Sequence, residues 1–205
     1  ATGARLPVQN LWATETRPEQ MPRVLLPFNQ YTVVLIIAVL VTGAAAAGLC
    51  AKLLQPRLPR HATLATAIGV LLVQLFALVQ TTTVVQAGLS GRRASSLYLA
   101  ALVMVAVASV LVGMVALTQA AKGASASNVV GLSIGALALG PWLTQLVHPF
   151  GSVSSSPIVD SLLFVSRWAP PVLVGIVIGW AGVRSAGRII AAGFGLLLLW
   201  IVPAL

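Results

Sequence analysis

The chain has 205 residues, 59% of them hydrophobic, with 12 Lys and Arg against 3 Asp and Glu and a formal charge of +9. Its mean hydropathy of +1.01 lies far above that of a soluble domain, so lipid is its solvent. The only carboxylates, Glu15, Glu19 and Asp160, leave little material for general acid–base, two-metal or glycosidic chemistry.

Residues 1–27 are polar, carry Pro7, Pro18, Pro22 and Pro27, and set Arg5, Arg17 and Arg23 against Glu15 and Glu19. They predict an irregular surface arm, with Leu11, Trp12, Leu25 and Leu26 as interfacial anchors. Residues 28–205 then predict an all-α fold, a polytopic bundle of about six transmembrane helices with no room for a separate soluble domain. The first helix is expected over 28–54. Its Gly43-Ala-Ala-Ala-Ala-Gly48 run lets another helix approach closely. Gln55-Pro-Arg-Leu-Pro-Arg60 ends it with two prolines.

The second helix is expected over 62–89, where Thr63, Thr66, Gln74, Gln80 and Thr81 gather on one side at 100° per residue. That stripe suits either a solvated path or hydrogen bonds to neighbouring helices. Ser90-Gly-Arg-Arg93 reads as a basic turn, and the third helix covers 95–119 with Ser109 and Gly113 as a small-residue pair. The fourth, over 128–147, carries Gly131 and Gly135, then Gly140-Pro141, where a kink is expected.

A serine-rich loop over 148–156 follows, with no Lys or Arg. In the fifth segment, 157–183, Asp160 and Arg167 lie inside apolar sequence, Pro170-Pro171 predicts a break, and Gly175 and Gly179 form another small-residue pair. The last helix is expected over 185–205, and an apolar run that reaches Leu205 without a polar exit points to a tail beyond it.

Lys and Arg fall almost entirely between the apolar runs, where they set topology and contact anionic headgroups, so no nucleic acid is implied. One side collects Arg5, Arg17, Arg23, Arg92 and Arg93; the other collects Lys52, Arg57, Arg60, Lys122, Arg184 and Arg188. The second set leads near the span ends, which orients residues 1–27 outward. A composition rich in Ala, Val, Leu, Gly and Arg fits a bacterial plasma membrane.

Asp160 and Arg167 are the sharpest polar candidates, since ionisable residues within spans are costly and mark function by default. Against this, Asp160 suits a first helical turn and Arg167 can reach the headgroups. Gln74, Thr81 and His148 complete the functional candidates. His61 and His148 fall at opposite membrane faces and cannot share a metal. With one cysteine, Cys50, no metal site, cofactor or catalytic group is expected.

Gly43, Gly48, Gly131, Gly135, Gly175 and Gly179 are expected at helix–helix contacts, within the chain or with a partner. The first functional expectation is therefore a non-catalytic subunit, scaffold or membrane module of a larger complex, joined to other membrane subunits or to copies of itself. The alternatives are a small transporter or channel built on the proline breaks, and a lipid-acting membrane enzyme.

Overall fold

The computed structural model describes residue 13 and residues 23–29, 32–55, 61–122, 125–147 and 157–201. Among them run six helices: α1 (Val33–Leu54), α2 (Ala62–Gly88), α3 (Arg93–Lys122), α4 (Ser125–Val147), α5 (Pro157–Ala181) and α6 (Ala186–Ile201). Five of these, α1 to α5, are long and apolar enough to cross a membrane. The described part of α6 has 16 residues. At 1.5 Å per residue it rises about 24 Å, short of a core of about 30 Å. The chain is a multi-pass membrane protein folded as an all-helical bundle, the solution that satisfies backbone groups inside lipid.

The bundle has an inner trio and an outer set. In the spans of α1, α3 and α4, 44%, 39% and 50% of residues are buried, against 11% in α2 and in α5. α1 packs mainly on α3 and α4, while α5 and α6 both lie against α4. Small residues allow the trio to close. A Cβ placed on Gly48 would meet the Leu117 carbonyl oxygen at 2.5 Å, one on Gly131 the Ala116 oxygen at 2.8 Å, and one on Gly135 the Ala45 Cβ at 2.5 Å. Gly113 also faces α1, 3.1 Å from the Leu40 oxygen by the same construction. Outer faces remain apolar and exposed, as with Leu64, Ile68, Leu72 and Phe76 of α2.

Two expectations need correction. α1 begins at Val33 and not at 28, because Thr32 Oγ1 donates to the Pro27 and Asn29 carbonyls at 2.7 and 3.1 Å and holds a turn there. The break expected at Pro170-Pro171 is absent: α5 runs as one helix from Pro157 to Ala181 with both prolines inside it. α4 likewise continues through Pro141. The two proline sites meet in space. A Cβ on Gly140 would lie 2.9 Å from Pro170 Cγ and 3.6 Å from the Ser166 oxygen, so the missing side chain at 140 leaves room for the proline ring. Nearby hydroxyls bond carbonyls within each helix, Thr144 to Gly140 at 3.0 Å and Ser166 to Leu163 at 2.9 Å.

Candidate functional site

The polar stripe of α2 forms a socket for a piece of non-helical chain. Residues 23–29 fold back against the bundle, and Leu26 and Phe28 are 2% and 0% exposed, within a cluster containing Ile36 and Leu40 of α1, Leu78 and Val85 of α2, and Leu102 of α3. Leu26, read from sequence as an interfacial anchor, is instead a core residue; Leu25 stays exposed. An irregular backbone at this depth must find its hydrogen bonds in protein. Gln80 Oε1 accepts from Leu25 N at 3.1 Å and Thr81 Oγ1 from Leu26 N at 3.0 Å, while Gln80 Nε2 donates to the Arg23 oxygen at 3.3 Å. Thr81 is fully buried and lies seven residues before the end of α2, about 11 Å along the helix.

Deeper on the same face, Gln74 is 7% exposed and donates through Nε2 to the Leu40 oxygen of α1 at 2.9 Å, while its Oε1 has no partner. Thr66 Oγ1 turns back to the Ala62 oxygen of its own helix at 2.9 Å. The stripe thus joins α2 to the 23–29 segment and to α1.

Asp160 and Arg167 are both exposed on α5, at the edge of its outward face, and no ion pair joins them. Seven residues separate them, about 10 Å of rise. Asp160 stands in the first turn, where the helix dipole favours a carboxylate. On a helix the Arg167 Cα–Cβ bond tilts toward that same end. Gly175 and Gly179 occupy the centre of the outward face, exposed, with nothing within 4 Å of a Cβ built on either. Gly43 of α1 is open in the same way. Trp168 shares the outward face and stacks loosely with Phe164 at 6.1 Å between ring centroids. A shallow open groove of about 330 Å³ near the start of α5 is lined by Pro157, Ser161, Leu162 and Val165. His148 lies outside the described residues, and His61 is exposed at the start of α2.

The opposite end of the bundle draws five helices together. Lys52, in the last turn of α1, places Nζ over the Trp180 ring of α5 at 5.3 Å. Turned so that its oxygen faces Lys52, the Asn128 amide of α4 accepts from Nζ and donates to the Ala120 oxygen at 3.1 Å. α5 closes on Gly182, whose φ of 67° favours glycine, and Gly182 N donates to the Ile178 oxygen at 2.9 Å. Arg188 Nη1 of α6 donates to the Ala181 oxygen at 2.8 Å, so a cation satisfies a carbonyl at the end of α5. Gly187 and Ala126 bring the starts of α6 and α4 into contact, 3.7 Å by a Cβ on Gly187.

Sequence reasoning missed both the inserted 23–29 segment and the Lys52–Asn128–Trp180 junction. The first had a signal in the alternation of Val24, Leu26 and Phe28, all buried. The second joins residues from three helices and has no local signature. Among the described residues, no three His, Cys, Asp or Glu side chains gather as a metal-binding group. The chain matches no protein-family model, and no curated protein or solved structure resembles it significantly.

Proposed function

We propose that this chain is a non-catalytic module of a larger complex in a bacterial plasma membrane, and that the outward face of α5 receives a helix of another subunit. The observation that carries this reading is the open space over Gly175 and Gly179. Small residues at this spacing gain contact energy only when a second backbone approaches them. The equivalent pair on α4, Gly131 and Gly135, is filled from within the chain. Unbroken α4 and α5 remove the half-helices on which a transporter reading would build its midplane site. The excess of Lys and Arg at the end with Lys52, Lys122, Arg184 and Arg188 supports a cytoplasmic reading of that end, with residues 23–29 toward the outer side.

The test is assembly in native membranes. The double substitution Gly175→Leu and Gly179→Leu is expected to weaken association with copurifying membrane subunits, or with copies of the chain, by about tenfold or more. Unchanged association, measured by mild-detergent copurification and cross-linking at α5, would remove the basis for this reading.

A further inference from the structure

We propose that the end of the bundle where α1, α4, α5 and α6 converge binds the phosphate of an anionic phospholipid headgroup, with Lys52 and Arg184 as its cations and Trp180 at its rim. This site lies at the other end of α5 from Asp160 and does not depend on a partner helix over Gly175 and Gly179.

Charge complementarity argues for it first. Asp160 is the only acid among the described residues, and it belongs to the opposite end. Lys52, Lys122, Arg184 and Arg188 all stand at this end, and Arg57 and Arg60 fall in sequence on the α1–α2 connection. Lys52 is half-buried between a neutral amide and an aromatic face, so its ammonium is oriented but not neutralised. Arg184 is exposed in the short turn between α5 and α6, one residue beyond Val183. Arg188 is committed to the Ala181 carbonyl and serves the fold.

The surroundings favour a lipid over a free anion. Trp180 is 62% exposed directly beside Lys52, and an indole there is suited to the boundary between headgroup and acyl chain. Ile176, one turn before Trp180 on α5, and Val183 just beyond the helix are also exposed and apolar, a surface along which acyl chains can lie. A soluble phosphate would use the cations alone. A phospholipid uses both.

The full chain, purified in neutral detergent, can be presented with phosphatidylglycerol, phosphatidylcholine or inorganic phosphate, and retained lipid counted by native mass spectrometry. Phosphatidylglycerol should be retained well above phosphatidylcholine. Lys52→Gln and Arg184→Gln should each lower its retention about fivefold, the factor for one cation near an anionic surface. Lys52→Arg should largely restore it. The pair Arg92→Gln and Arg93→Gln, at the opposite end, should leave it unchanged. Equal retention of the two lipids, an equal loss from the Arg92 and Arg93 pair, or displacement by millimolar phosphate would each overturn the proposal. If Lys52→Gln fails to fold for want of its Asn128 and Trp180 contacts, Arg184→Gln decides alone.

Discussion

On α4, Gly131 and Gly135 bring the backbone against Ala116 of α3 and Ala45 of α1, whereas on α5 Gly175 and Gly179 have nothing within 4 Å. Both pairs have the same spacing and sit in apolar, membrane-length helices. The difference lies in place: α4 stands in the centre with helices on several sides, and α5 covers it from outside, with Pro170 turned toward Gly140. A small-residue pair permits close approach without choosing the neighbour. Where the chain itself supplies that neighbour, the glycines hold the fold. Where it does not, they stay open on the outer surface.

The sharpest way to break this comparison is to fill both kinds of glycine. Gly48→Leu or Gly135→Leu should destabilise the chain by about 1–3 kcal/mol or more, since backbone or a helix-bound Cβ already occupies the space. Gly175→Leu and Gly179→Leu should change chain stability by less than about 0.5 kcal/mol. Thermal unfolding in detergent, followed by loss of helical circular dichroism, measures both sets. Comparable losses would mean that the two pairs do the same work.

Next in size is the socket. Thr81→Val keeps the volume but leaves the buried Leu26 N–H without its acceptor, an expected loss of about 1–3 kcal/mol. In a Cys50→Ser background, a cysteine at position 25 should then react faster with a water-soluble maleimide. Gln74→Leu removes one hydrogen bond to the Leu40 carbonyl but also an unpartnered oxygen, so its cost should be near the membrane average of about 0.6 kcal/mol.

The smallest effect is expected at Ser133, which is fully buried against α6 near Gly195 with no partner for Oγ. Ser133→Ala should be neutral or stabilise by up to about 1 kcal/mol, because it deletes an unsatisfied polar atom. A clear destabilisation, read by the same unfolding assay, would show that Oγ has a bound water or other partner.

Long apolar runs, turns and basic connections made the helical membrane bundle legible from sequence, because lipid admits few backbone solutions. α2 and α5 end within a few residues of their expected limits. The stripe from Thr63 to Thr81 was legible as polar, but its use was not, since residues 23–29 resemble an ordinary proline-rich arm until Phe28 is seen inside the bundle. Pro170-Pro171 misled for a related reason. A proline pair reports the cost within one helix, and only the α4 backbone at Gly140 shows how that cost is accommodated.

The fold-back of residues 23–29 also bears on the order of synthesis. This stretch leaves the ribosome before α1, and its receptors Gln80 and Thr81 come near the end of α2, some 55 residues later. Until α2 arrives, the amides of Leu25 and Leu26 must remain in water or at the membrane surface. Seating the stretch therefore closes the first hairpin only once α2 has been made. Cargo fused ahead of residue 23 would have to leave that closure room, and assembly of the hairpin would report on whether it does.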